Sequence, residues 1–423
     1  MRGRLVSKDS VKYLTQDPEK LNYLRSRTPF HRFSENEYLR RWDKMRKFMR
    51  SHQIQCMLIS GGNSGWLKGW SNVRYVSEYI GSQESNCFVV FPLEGDPAIC
   101  GVGPTYAHRL YRSIIDDLRA GPSAILAAHR ITELGLESTK IGIVEHTSML
   151  PRNVWEGLQV KLPRAKFEFV SKEWWDEVRF PLSTEEEEWM KRSGKIGDQC
   201  LEAIAGKMRP GMTEDELFAT STGTAIANGG EHEYMSLIGS HSMLDPDADD
   251  TSATPRDRVL RKGDIILTEI GPEYNGYETQ CGWPITLGKP TKEYDQMFAV
   301  AFEVYQKVVG LLKEGCDTDK ILEAGDLIDE KGYKCAGPPL LHALPSGLSG
   351  NDLFVPQRGQ LESFIMMGRT IKKMELRAGV PVSVGVSVAR RDELAGLYIG
   401  DSFIIRKGPP SRLHSYPTQM TQI

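Results

Sequence analysis

Five valines stand at every second position from Val380 to Val388. A strict period of two puts all five on one face of a strand and Pro381, Ser383, Gly385 and Ser387 on the other. The pattern predicts a half-buried strand, the kind found in antiparallel sheets that rest one face on a core. Residues 396–405 read as its neighbour. Residues 264–270 form another apolar strand, which leads through a Gly/Pro/Asn turn into Tyr277. Around these strands lie helix signals. Ser183 with Glu186 and Thr213 with Glu216 make S/T-x-x-E capping boxes, and residues 294–312 are amphipathic and ended by Gly315. Helices gathered against a curved antiparallel sheet make an α+β domain.

The first half has a different rhythm. Short apolar segments at residues 56–59, 87–91 and 141–144 alternate with helix-like stretches near 107–118 and 122–134, the pattern of an α/β layer structure. Ser34 and Glu37 open an earlier helix. Tyr38, Trp42, Met45 and Met49 form its apolar stripe, while Arg40, Arg41, Lys44, Arg46 and Lys47 are expected to be largely solvated on the other face. Residues 1–33 are polar and aperiodic. The expected organisation is an arm at 1–33, an α/β domain at 34–181 and an α+β domain at 182–423, in keeping with roughly 150 residues per domain.

Composition excludes several classes. Lys and Arg number 53 against 56 Asp and Glu, a net charge of −3 without any basic run, so no nucleic-acid partner is expected. No apolar run approaches the ~20 residues a membrane helix needs. The seven cysteines form no CxxC pair, which argues against both a disulfide framework and a zinc knuckle. No apolar h-region follows the basic start, so no signal peptide is expected and the cytoplasm is the default compartment.

Three phrases in order carry a resemblance that covers nearly the whole chain. They are Phe33-Ser34-Glu35-Asn36-Glu37-Tyr38-Leu39-Arg40-Arg41, Arg209-Pro210-Gly211-Met212-Thr213-Glu214, and Glu269-Ile270-Gly271-Pro272-Glu273-Tyr274-Asn275-Gly276-Tyr277. The chain resembles the creatinase/prolidase/aminopeptidase P superfamily. That resemblance implies a pita-bread C-terminal domain behind a creatinase-like N-terminal domain. The family's metallopeptidases hold two metal ions with two Asp, one His and two Glu. Matched phrase by phrase, those ligand positions fall on Glu269, Gln280, His342, Gly385 and Gly400. Hard divalent ions require anionic oxygens, and one carboxylate with one histidine does not supply them. No metal pair and no cofactor is therefore expected; the alternative donor set for a single ion is Glu269, His342 and Asp401.

Creatinase is the family precedent for hydrolysis without metal, and it uses a histidine to activate water. The candidate catalytic residues here are His342, Glu269 and His241, the last in a Gly/Ser/Asp loop with Asp245 and Asp247. An imidazole titrates in the range that acid–base catalysis needs, and a carboxyl in an apolar strand is raised toward that range. Gln280, with a donor and an acceptor, is a substrate-binding candidate, as are Tyr277 and Asp401. Strand alternation means that Tyr277 and Gln280 need not share a wall with Glu278. In creatinase-like dimers the partner's N-domain supplies an Arg to the substrate carboxylate. Ungapped matching puts Glu84 at that place, with Arg74 as the alternative. The resemblance thus implies a homodimer acting on a small molecule.

The leading expectation is metal-independent hydrolysis of a small C–N substrate, amide or amidine-like. The alternatives are a lyase on the same scaffold, a non-catalytic scaffold that binds peptides or proteins, and a metal-dependent Xaa-Pro peptidase.

Overall fold

The computed structural model describes Ser26 and residues 32–61, 71–79, 86–102, 113–144, 150–231, 235–246, 255–335, 337–344, 353–366 and 371–423. Glu84, Asp247 and nearly all of the arm lie outside the described residues. The chain divides into two compact units, one reaching Arg179 and one beginning at Phe180.

The N-terminal unit is built on one six-stranded sheet. Its strands are β1 (Cys56–Gly61), β2 (Cys87–Pro92), β3 (Ala98–Val102), β4 (Asp117–Ala120), β5 (Lys140–Val144) and β6 (Lys166–Phe169), in the order β4-β3-β2-β1-β5-β6. β1 runs antiparallel to β2 and parallel to β5, so the sheet is mixed. Helices α1 (Glu35–Ser51), α2 (Ser71–Ser77), α3 (Ser123–Glu133) and α4 (Arg152–Lys161) accompany it. Leu126, Ala127 and Ile131 of α3 join Leu58, Phe88, Val90 and Ile143 of the strands in one buried cluster.

Two expectations fail in this unit. Residues 117–120 are an edge strand rather than the end of a helix. Asp117 and Arg119, two apart, share a strand face and pair at 2.8 Å, and Glu133 of α3 grips the same guanidinium. The basic face of α1 is not wholly solvated either. Arg41 is 1% exposed, bonded to Glu37 at 2.8 Å and packed over the rings of Phe33 and Tyr75 at 4.1 and 4.3 Å. Because the Glu37 carboxylate serves Arg40 and Arg41, only half of the capping box forms: Ser34 accepts from the Glu37 N–H.

In the C-terminal unit, α5 (Thr184–Lys207) and α6 (Glu214–Ala227) each start with a complete capping box. β7 (Met235–Ser242) and β8 (Asp264–Gly271) pair antiparallel over their full length. A two-residue turn, Asn275-Gly276, with both φ positive at 50° and 82°, joins β9 (Glu273–Tyr274) to β10 (Tyr277–Glu278). That is the backbone demanded by a tight hairpin, and Asn-Gly is the pair that adopts it most readily. β11 (Ile285–Thr286) then pairs with β8, and α7 (Lys292–Leu311) follows.

The second sheet is β13-β12-β14-β15-β16, from β12 (Leu341–Ala343), β13 (Phe354–Val355), β14 (Pro381–Ala389), β15 (Gly396–Ile404) and β16 (Ser411–Arg412). All nine residues of β14 are buried. The valine face packs toward α7 and the Ser/Gly face is covered as well, so the predicted half-buried strand is buried on both sides. A backbone bridge between Gly282 and Gly400 links the two sheets, and the candidate site lies beside it.

Candidate functional site

Three strands bring the site together. Glu269 lies in the middle of β8, opposite Leu237 of β7. Gln280 follows the β9–β10 hairpin by two residues, and His342 is the central residue of β12. A hydrogen-bonded chain runs from Glu278 through Gln280 to His342. Gln280 Nε2 donates to Glu278 Oε1 at 3.0 Å, which turns Gln280 Oε1 toward His342 Nε2 at 3.1 Å. His342 Nδ1 lies 3.0 Å from the Ala343 carbonyl oxygen. Both ring nitrogens therefore face accepting oxygens, an arrangement that a doubly protonated imidazolium satisfies in full. Ser402 holds the Gln280 backbone at both ends: its Oγ accepts from the N–H at 2.7 Å and donates to the carbonyl at 2.8 Å.

Glu269 is 8% exposed and feels the charge of Glu278 without a hydrogen bond to it. Its carboxyl is pushed up to about 7, first by burial and then by the negative charge of Glu278; the Tyr398 hydroxyl acts in the opposite direction. Within a buried cluster, such a group exchanges a proton near neutral pH.

Sequence reasoning missed Glu278 and Tyr398. The expectation that Gln280 need not share a wall with Glu278 fails, because residues two apart fall on one face of an extended chain, and the two side chains are bonded at 3.0 Å. The Tyr398 ring lies in a slot made by Gly400, two residues on along the same strand, and by Gly282 and Gly385, which are distant in sequence. A Cβ at Gly282 would sit 2.7 Å from ring carbon Cε1, and one at Gly385 would sit 3.1 Å from Cε2. A Cβ at Gly400 would collide with the hydroxyl itself. The phenol thus occupies the space into which ligand side chains from 385 and 400 would project. With a neutral amide at 280, glycines at 385 and 400 and a ring between them, the residues present do not fit a pair of divalent ions. Among the described residues no group of three His, Cys, Asp or Glu side chains converges on one point.

The remaining candidates lie elsewhere. His241, 1% exposed, meets the Tyr294 hydroxyl at 2.6 Å and pairs across the sheet with Ile265, four residues along β8 from Glu269. Four strand residues span about 13 Å, so His241 is not part of the cluster and belongs to the packing of α7. Asp401 alternates with Gly400 and faces away. Its Oδ2 accepts from Arg412 Nε at 2.5 Å and from the Tyr305 hydroxyl at 3.0 Å, an internal ion pair rather than a substrate contact. The single-ion set of Glu269, His342 and Asp401 is therefore not assembled.

Tyr277 donates to Glu186 Oε1 at 2.6 Å, at the start of α5, so its hydroxyl serves the helix cap and not Gln280. Arg74 is buried in the N-terminal unit beside Glu78, with Nε 3.4 Å from Oε1. Glu84 is outside the described residues.

Known proteins frame this geometry. The creatinase/prolidase N-terminal domain matches residues 41–180, and metallopeptidase family M24 matches residues 188–407. An uncharacterized peptidase of Staphylococcus aureus is 26% identical over 219 residues, 50% of this chain and 59% of the relative. One from Staphylococcus epidermidis is 25% identical over 236 residues, 54% and 60% respectively. The matches thus span about three-fifths of the relatives' length. The crystal structure of an X-Pro aminopeptidase from Thermotoga maritima superposes with a TM-score of 0.73 at 16% identity, covering 90% of this chain and 99% of that one. The prolidase of Pyrococcus horikoshii superposes at 0.70 and 20% identity, with the same coverage. These likenesses establish the architecture: a creatinase-type N-terminal domain and a pita-bread α+β C-terminal domain. With more than half of its residues matched, the chain belongs to metallopeptidase family M24 and carries the creatinase/prolidase N-terminal domain.

Proposed function

We propose that this family member hydrolyses a small C–N substrate, amide or amidine-like, by proton transfer between protein groups and without a metal pair. One observation carries the reading: a buried glutamate at about 7, open to its surroundings over 8% of its surface, lies under the charge of Glu278, which is itself hydrogen-bonded through Gln280 to His342. Glu269 is the acid/base. As carboxylate it takes a proton from water attacking the substrate carbon, and as carboxylic acid it returns that proton to the departing nitrogen. His342, oriented by Gln280 and the Ala343 carbonyl, supplies positive charge for the substrate's developing negative charge. In this reading the proton-carrying role passes from His342, the first candidate of the sequence, to Glu269, whose carboxyl at about 7 supports it.

The test is turnover of a panel of small amides, amidines and Xaa-Pro dipeptides after exhaustive dialysis against a chelator. Activity that survives chelation and falls on the order of 10²–10⁴-fold in E269Q supports the reading. Activity lost on chelation and restored by zinc or manganese refutes it.

A further inference from the structure

We propose that Tyr398 has taken the seat of the metal pair in this chain: its ring fills the slot of Gly282, Gly385 and Gly400, and its hydroxyl positions Glu269. The proposal deepens the hydrolytic reading of the same site and rests on it for its catalytic meaning. Its physical basis is independent of turnover.

The first support is steric. Gly385 and Gly400 are cross-strand partners, and Gly400 also bridges to Gly282, so three glycines meet at one point of the two sheets. Loss of two ligand side chains would leave a void there, and voids in packed interiors are costly. Here the void is filled, because Tyr398, two residues before Gly400 on the same face, lays its ring across it. The ring demands glycine at 400 and is crowded by a Cβ at 385, while at Gly282 a Cβ would first collide with the Thr268 carbonyl oxygen and only then with the ring.

The second support is an unsatisfied donor. The Tyr398 hydroxyl is buried and completes no hydrogen bond of standard geometry, yet it lies beside the Glu269 carboxyl and favours that group's anionic form. A buried hydroxyl without a partner costs about 1–3 kcal/mol, and Glu269 is the acceptor to which this one turns. Burial and the carboxyl of Glu269 push the phenol well above its ordinary range, so it stays a donor at all ordinary pH values. Glu278 faces Glu269 as well, and Cys281 and Asp401 add their influence on the phenol. Of the groups acting on Glu269, burial and Glu278 oppose its charge, and Tyr398 favours it. Tyr398 is accordingly a positioning residue, acting on substrate through Glu269.

Two readouts test the proposal without any substrate. In the first, the Glu269 carboxyl is followed through pH by infrared difference spectroscopy of wild type against E269Q. Y398F keeps the ring in its slot and removes only the oxygen; the Glu269 midpoint is expected to rise by about one pH unit. Uniform 3-fluorotyrosine labelling, which makes the phenol a stronger donor at nearly unchanged shape, is expected to lower it. A midpoint that moves with neither change overturns the positioning role. In the second, equilibrium dialysis against Zn²⁺ and Mn²⁺ compares wild type, Y398F and E269Q. Uptake at this site is expected in none of them. Two ions bound per wild-type chain and lost in E269Q would overturn the claim that the ring holds the seat. If the protein hydrolyses nothing, the hydrolytic reading falls while both readouts still report on Tyr398.

Discussion

Two buried glutamates of the C-terminal unit have opposite fates. Glu214 is the first residue of α6 and fully buried. Its Oε1 accepts from the Ser240 hydroxyl at 2.6 Å and from Arg256 Nη2 at 2.8 Å, and further bonds come from the backbone N–H groups of Ser240 and Arg256. Burial alone would raise it, but the guanidinium, the hydroxyl and the backbone donors together hold it below the usual carboxylate range. Glu269, on a strand a short distance along the chain, has no cation beside it, only the Tyr398 hydroxyl to set against burial and a second carboxylate for a neighbour. The first is a structural carboxylate with its charge fully answered. The second is left electrostatically unsettled, and such unsettled groups are where acid–base chemistry is found.

The largest expected effect breaks the satisfied member. E214A strands Arg256 and removes an acceptor for five donors, and is expected to cost about 4 kcal/mol in urea unfolding. The unsettled member behaves in the opposite sense. Glu269 binds its proton more tightly folded, at about 7, than unfolded, near 4.5. Its contribution is therefore fully present below about pH 4.5 and is lost as pH rises through about 7, a swing of about 3 kcal/mol. E269Q should remove that slope. Unfolding midpoints at pH 5 and pH 8 should converge in the variant, which should be the more stable protein at pH 8.

The slot itself is sharpened by a double-mutant cycle. G400A is expected to cost about 2 kcal/mol through its collision with the Tyr398 hydroxyl, and much less in a Y398A background. Equal costs in both backgrounds would show that the ring and the glycine do not compete for one space. The smallest effect returns to Glu214. T213A removes the cap that orients the first turn of α6 and should lower stability by about 1 kcal/mol, measured by thermal melting.

Much of the frame was legible because its signals are local. The boxes at Ser183 and Thr213 and the Asn-Gly turn each depend on a few adjacent residues, and each forms as the pattern implies; the valine alternation gives the strand but not the cover on its second face. Of the positions matched by phrase, Gln280 and His342 are hydrogen-bonded to each other. What stayed hidden depends on distant partners. Arg41 reads as surface until Phe33 and Tyr75 close over it. His241 and Tyr277 look like site residues until Tyr294 and Glu186 claim them. The glycine at 385 reads as a simple loss, because nothing near it in sequence announces that a tyrosine ring has moved in; at 400 the signal is Tyr398 itself, two residues away on the same strand face.

The three-glycine seam also limits where this chain can go by single changes. A glutamate introduced at 400 would place its first side-chain carbon against the phenol oxygen, and one at 385 would press on the ring edge. Neither carboxylate can be regained while Tyr398 remains, and removing Tyr398 alone opens a hole flanked by backbone. The route back to a liganded centre thus passes through intermediates that pack poorly. Once the ring is seated, the departure from metal chemistry acts as a ratchet.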